Sequence, residues 1–124
     1  MLFRSSIEII KNAILNGIIN AKLNKVHNIK FMLGDVSKTV DKLNIDFDTL
    51  IIDPPRKGLD KKTRNFILNK LPNKIIYISC DPNTLIRDLK ELERIYEISD
   101  FKIMDMFSYT YHVESFCVLK KKAR

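Results

Sequence analysis

The chain has 124 residues, the size of one small domain, and its 45% hydrophobic content is ordinary for a globular fold. No apolar run approaches the roughly 20 residues of a membrane-spanning helix, and the opening lacks a secretory cleavage site, so we predict a cytoplasmic protein with no membrane partner. The net charge of +7 suits a polyanionic partner such as nucleic acid, but it also fits a solvated basic surface.

Two cysteines, Cys80 and Cys117, occur without an export signal, which predicts reduced thiols. The sequence has no CxxC pair and no Cys/His cluster, so we predict no metal site.

The first half of the chain predicts a strand, a helix and two further strands. Residues 2–7 form a short strand that ends at Glu8, and residues 28–33 and 49–53 form the next two strands. The helix between the first two is indicated by apolar and small residues at i, i+3 and i+4 spacing: Ile10, Ala13, Ile14, Gly17, Ile18 and Ala21.

The second half continues the alternation. A helix is predicted around residues 60–70, a buried strand at 74–79 and a helix at 82–94, with an antiparallel pair at 101–107 and 112–119 closing the chain. The helix at 82–94 carries one apolar face, formed by Leu85, Ile86, Leu89 and Leu92.

This order predicts an α/β fold, with a sheet covered on both faces and central strands made parallel by right-handed crossovers. We find no internal repeat and no linker. Ligands of such sheets bind beyond the carboxyl ends of the strands. Because Glu8, Asp35, Asp53 and Cys80 each follow a predicted strand, we expect them at one edge of the sheet.

Cys80 stands just before the helix at 82–94, with Asp81 as a good N-cap and Pro82 at the first helical position. A helix N-terminus favours a thiolate, which is the attacking form of cysteine. The neighbouring Asp81 opposes it, since two charges ~6 Å apart repel by about 0.7 kcal/mol in water. A nucleophile and a packing residue both remain possible for Cys80, whereas we interpret Cys117 as packing.

Five other residues are candidates from their positions. Asp53 and Arg56 belong to a turn made rigid by two prolines, with a weak surface ion pair between them as the less favoured alternative. Glu114 is a possible proton acceptor in a cleft or a solvated strand residue. Glu8 could accept hydrogen bonds from ribose hydroxyls, and Asp35 could contact an adenine edge.

With these residues in place, the chain resembles the catalytic domain of the TrmA-like family of RNA uracil-5 methyltransferases. The blocks "DPPRKG", "YISCDPNTLIRD" and "DMFSYTYHVES" resemble three diagnostic motifs of that family, in order. The segment "IEIIKNAILNGIINAKLNKVHNIKFMLGD" resembles the region around an adenosyl-contacting acid, and the resemblance covers residues 6–120.

The resemblance implies a Rossmann-like sheet, mostly parallel with an antiparallel C-terminal strand, that uses S-adenosyl-L-methionine to methylate uridine C5 in tRNA or rRNA. Its implied catalytic site holds the nucleophile Cys80, the base Glu114, and Asp53 and Arg56. The implied cofactor contacts are Glu8, Asp35 and Asp53, and no metal is implied.

Three departures from the family pattern stand out. Asp81 replaces a usual asparagine, Ser108 replaces a usual proline, and no glycine-rich first motif precedes Glu8. We therefore interpret residues 1–124 as a partial methyltransferase catalytic domain. Its sheet would lack the strand between those ending at Glu8 and Asp53, and an N-terminal region or a second chain would complete it.

Three other functions compete with this one. RNA cytosine-5 methyltransferases also use a cysteine, but they keep one in the block that reads "DPPRKG" here, where none occurs. An amino-methyltransferase with a DPPY motif is disfavoured because Arg56 occupies the aromatic position. The non-catalytic alternative is a remnant that binds RNA or a partner protein through its basic surface.

Overall fold

The computed structural model describes residues 2–106 and 108–123. The chain divides into two compact units, one within Met1–Asn44 and the other within Ile45–Arg124. Helices and strands alternate through most of the chain, which confirms the predicted α/β class.

The first unit is a parallel strand pair connected by one helix. Its elements are β1 (Arg4–Glu8), α1 (Lys11–Leu23), β2 (Ile29–Leu33), α2 (Val36–Thr39) and a 3₁₀ turn (Val40–Lys42). Glu8 lies opposite Leu33 in the register, so β1 and β2 end at the same edge. Parallel strands need a long crossover, and α1 supplies it.

Helix α1 packs closely on β2 at one point. A Cβ atom added to Gly17 would lie 2.7 Å from the Phe31 ring, so the absence of a side chain at this position lets α1 approach β2 closely. Within α1 only Ile14 is buried, and Ile10 and Ile18 of the predicted apolar face stay 60% and 46% exposed. A two-stranded sheet has too little apolar surface to cover the whole helix face.

The second unit is a four-stranded sheet with two helices. Its elements are β3 (Thr49–Ile52), α3 (Lys61–Lys70), β4 (Lys74–Ser79), α4 (Pro82–Leu92), β5 (Tyr96–Met104) and β6 (Glu114–Lys121). The strand order is β3-β4-β6-β5. β3 and β4 are parallel, and β6 is antiparallel to both of its neighbours, as predicted for the end of the chain.

The boundaries of the closing strands differ from the prediction. β5 begins at Tyr96 rather than at residue 101, and β6 begins at Glu114 rather than at residue 112. β5 is an edge strand with a register irregularity between Ile98 and Asp100, and charged residues on such edges hide the strand pattern. Phe107, the last residue of the predicted strand at 101–107, lies outside the described residues.

The core of the second unit lies between one face of the sheet and the two helices. Ile75 and Tyr77 of β4 are fully buried, and they pair across the sheet with Leu119 and Cys117 of β6. These side chains belong to the same cluster as three helix residues, Ile67, Leu85 and Leu92. The packing role predicted for Cys117 is confirmed, since its side chain is 0% exposed.

Two expectations about burial are wrong. Ile51 of β3 is 66% exposed, so this strand is not covered on both faces. Ile86 was expected on the buried face of α4 but is 53% exposed. Each helical residue is rotated by ~100° from the one before, and the burial of Leu85 turns Ile86 away from the core.

The sheets of the two units are separate. Among the described residues, β1 pairs only with β2. In the other sheet, β3 is an edge strand and pairs only with β4. Within the described ranges, no helix combines the length and the apolar character needed to cross a bilayer.

Candidate active site

Three of the candidate residues share one edge of the four-stranded sheet. β3 and β4 are parallel, so Asp53 and Cys80, which follow them, lie at the same edge. β6 runs in the opposite direction and begins at this edge with Glu114. Because Ser79 pairs with Ser115, Cys80 and Glu114 lie at adjoining ends of neighbouring strands.

Glu114 belongs to the face of the sheet that α3 and α4 leave uncovered. Ser115 and Cys117 are buried on the helix-covered face, so Glu114 alternates with them and shares the other face with Phe116. Its side chain is half-buried.

The turn after β4 presents Cys80 directly before a capped helix. Cys80 is half-buried and forms no disulfide. Asp81 is the N-cap of α4, and its carboxylate accepts hydrogen bonds from the N–H groups of Asn83 (2.8 Å) and Thr84 (3.4 Å). Pro82 occupies the first turn, as predicted.

The charge of Asp81 is balanced within the turn. Arg56 Nε lies 3.6 Å from Asp81 Oδ2, and the Asp81 side chain is only 19% exposed. Arg56 therefore pairs with the residue after Cys80, and not with Asp53 as the surface-pair alternative proposed. The repulsion that Asp81 exerts on a thiolate is reduced by this cation and by the two N–H groups that donate hydrogen bonds to the carboxylate.

A buried carboxylate that was not among the sequence candidates lies behind this turn. Asp88 of α4 is 0% exposed, and Oδ2 accepts a 2.6 Å hydrogen bond from the Tyr77 hydroxyl. Burial and this hydrogen bond raise the pKa of Tyr77 well above its ordinary value. A signal was present, because Asp88 stands three residues after Leu85 and four before Leu92, inside the apolar stripe.

Glu8 and Asp35 lie in the first unit, Glu8 as the last residue of β1 and Asp35 two residues after the end of β2. Glu8 Oε1 accepts a 2.9 Å hydrogen bond from the N–H of Ile10. Asp35 caps α2, and its Oδ1 accepts from the N–H (2.9 Å) and the hydroxyl (2.8 Å) of Ser37. Both carboxylates order their own turns, and a carboxylate has further lone pairs with which to accept from a ligand.

The chain is similar to known RNA-modifying proteins. A profile of the family described as tRNA (uracil-5-)-methyltransferase matches residues 35–122. A tRNA/tmRNA (uracil-C(5))-methyltransferase of Aliarcobacter butzleri is 41% identical over 92% of this chain and 34% of its own length. An uncharacterized RNA methyltransferase of Halalkalibacterium halodurans is 41% identical over 94% of this chain and 26% of its own length.

A solved structure supports the same relationship. The tRNA (uracil-54, C5)-methyltransferase of Pyrococcus abyssi, in complex with S-adenosyl-L-homocysteine, matches with a TM-score of 0.80 and 32% identity. The match covers 93% of this chain and 28% of the Pyrococcus chain. The chain thus spans between a quarter and about a third of the length of these three proteins.

Proposed function

The chain belongs to the tRNA (uracil-5-)-methyltransferase family, and we propose that it forms the catalytic part of an S-adenosylmethionine-dependent enzyme that methylates uridine C5 in RNA. The observation that carries this proposal is the placement of Cys80 and Glu114 at adjoining ends of β4 and β6. The proposed reaction needs a nucleophile and a base around one ring.

Cys80 is the proposed nucleophile. Uracil C5 attacks poorly unless the ring is first activated. The Cys80 thiolate adds to C6, the C5–C6 electrons move into the ring as an enolate, and C5 becomes able to attack a methyl group. Covalent catalysis of this kind divides one difficult step into easier ones. Arg56, paired with Asp81 beside Cys80, offsets the negative charge of that carboxylate near the developing anion.

Glu114 is the proposed base. After C5 has received the methyl group, the Glu114 carboxylate removes the C5 proton. The C5–C6 double bond then forms again, and the bond from C6 to sulfur breaks. The Cys80 thiolate is then released. If the alternation of β4 is extended by one residue, Cys80 lies on the same face of the sheet as Ile78. Ile78 pairs with Phe116, which shares its face with Glu114, so Cys80 and Glu114 lie on one face.

Glu8, Asp35 and Asp53 are the proposed contacts of S-adenosylmethionine, which supplies an electrophilic methyl group when bound. These residues fit that ligand chemically, because carboxylate oxygens accept hydrogen bonds from ribose hydroxyls and adenine amino groups. Each one lies at or just beyond the carboxyl end of a parallel strand.

The proposed substrate is a uridine of tRNA or rRNA, presented single-stranded or flipped out of its stack so that its C5 and C6 atoms are reachable. The net charge of +7 supports a polyanionic substrate.

Covalent trapping tests the proposal. A 5-fluorouridine-containing RNA has no removable C5 proton, so the enzyme should stay bonded to it after methyl transfer in the presence of S-adenosylmethionine. We expect an adduct resistant to denaturation in the wild-type chain and in Cys117→Ala, and none in Cys80→Ala. Salt-sensitive RNA binding without any adduct would instead support the non-catalytic alternative.

A further inference from the structure

Side chains of α4 hold the backbone of the loop that follows β3, residues 53–59. The Thr84 hydroxyl donates to the carbonyl of Arg56 at 3.0 Å. Arg87 Nη2 donates to the carbonyls of Lys57 at 3.0 Å and Leu59 at 3.1 Å. Three carbonyls of one loop are therefore satisfied by two side chains of one helix.

Asp88 completes this contact from the buried side. Its Oδ2 accepts from the N–H of Leu59 at 2.9 Å, and its Oδ1 lies 2.8 Å from Arg87 Nη2 and 3.5 Å from Arg64 Nη1. The hydrogen bond to Asp88 raises the pKa of Arg87. Among the described residues, no buried side-chain polar atom lacks a partner, so the network is fully satisfied.

The loop itself is shaped for this close approach. Gly58 has a φ of +77°, which L side chains rarely adopt, and its N–H donates to the Pro55 carbonyl at 2.8 Å. A Cβ atom at Gly58 would lie 2.6 Å from Arg87 Nη2 and 2.8 Å from Asp88 Oδ2. Only glycine lets the loop lie this close to α4.

We propose that Thr84, Arg87 and Asp88 act as a positioning clamp, which fixes the loop at residues 53–59 relative to Cys80. Helix α4 begins two residues after Cys80, so a loop fixed against α4 is also fixed relative to Cys80. The clamp sets where Asp53 and Arg56 stand when a pyrimidine ring binds. This role rests on the proposed function, since it acts through residues assigned to that reaction.

The structural part of the proposal is tested by hydrogen–deuterium exchange of the loop amides in the full chain. Arg87→Ala removes two loop contacts, and Thr84→Val removes one with little change in volume. Lys90→Ala is the matched control, because Lys90 is exposed on the same helix and borders a groove toward β5. We expect loop amides to exchange about tenfold faster in Arg87→Ala, less so in Thr84→Val, with β4 amides unchanged. Loop exchange equal to that of Lys90→Ala would overturn the clamp.

The catalytic part is tested by single-turnover methyl transfer to RNA. A misplaced loop should lower the rate constant of Arg87→Ala by about 10- to 100-fold at saturating cofactor, while the Kd for RNA changes by less than about twofold. Arg87→Lys, which can restore one carbonyl contact, should recover part of the rate. A purely structural role would reduce the active fraction instead of the rate constant.

The two proposals can fail separately. A wild-type chain that transfers no methyl group, with loop exchange as expected, counts against the proposed function and leaves the clamp in place. A wild-type rate constant in Arg87→Ala with a loosened loop overturns the positioning role.

Discussion

The hydrogen bond from Tyr77 to Asp88 makes a sharp prediction about the stability of the second unit. Tyr77→Phe removes only the hydroxyl that donates to Asp88 Oδ2 at 2.6 Å. Tyr96→Phe is a matched control, since the Tyr96 hydroxyl donates at 2.8 Å to the carbonyl of Pro72, a neutral acceptor. The two tyrosines are 0% and 2% exposed, so burial is nearly the same.

The expected magnitudes follow from the charge of the acceptor. A hydrogen bond to a charged group contributes about 1.5–3 kcal/mol, and a neutral one about 0.5–1.5 kcal/mol. We expect Tyr77→Phe to lower the free energy of unfolding by about 2 kcal/mol and Tyr96→Phe by about 1 kcal/mol. In Tyr77→Phe, Asp88 also loses one of the donors that stabilise its buried charge.

Urea denaturation at pH 7, followed by circular dichroism, measures both differences. The m-values of the variants should match the wild-type value, so that a change in midpoint reports stability alone. Equal losses in the two variants, or a neutral Tyr77→Phe, would refute the assignment of Asp88 as a charged acceptor in the core.

Three further outcomes are expected. Iodoacetamide should label Cys80 in the native chain and reach Cys117 only in denaturant, because burial raises the pKa of the Cys117 thiol, and peptide mapping checks this against Cys80→Ser. In the same urea assay, Leu92→Ala should lower the free energy of unfolding by about 2–5 kcal/mol, and Ile86→Ala, at an exposed position, by less than about 1 kcal/mol. Similar losses in the two variants would contradict the observed orientation of α4. Burial raises the pKa of Tyr96 to about 12. The contribution of this shift to the free energy of unfolding should be complete below pH ~10 and be lost as the pH rises from ~10 to ~12. Tyr96→Phe should remove that part of the alkaline loss of stability in a pH series of urea midpoints.

The sequence predicted the elements whose local signals agree with their burial. The run at residues 74–79 became β4 with its predicted bounds, and Asp81 and Pro82 began α4 as predicted. Here β propensity, capping and apolar spacing all indicate the same structure. The edge positions of Asp53 and Cys80 followed from the rule for parallel strands.

What the sequence did not predict depends on tertiary contacts. The position of Asp88 inside the apolar stripe of α4 indicates burial, but its hydrogen-bond donors, the Leu59 N–H and the Tyr77 hydroxyl, come from other segments and could not be read from the sequence. The partner of Arg56 was equally hidden, because Asp53 is near in sequence whereas Asp81 is near in space. The extent of β5 was obscured by charges that an edge strand tolerates.

The reaction proposed for Cys80 and Glu114 is tested most directly by Glu114→Gln acting on ordinary uridine-containing RNA. Glutamine keeps the size of the side chain but cannot remove the C5 proton. With S-adenosylmethionine labelled in its methyl group, we predict that this variant accumulates a denaturation-resistant protein–RNA complex that carries the label, attached at Cys80 by peptide mapping. A labelled, released 5-methyluridine formed at the wild-type rate, or attachment at any residue other than Cys80, would contradict the assignment of the two residues.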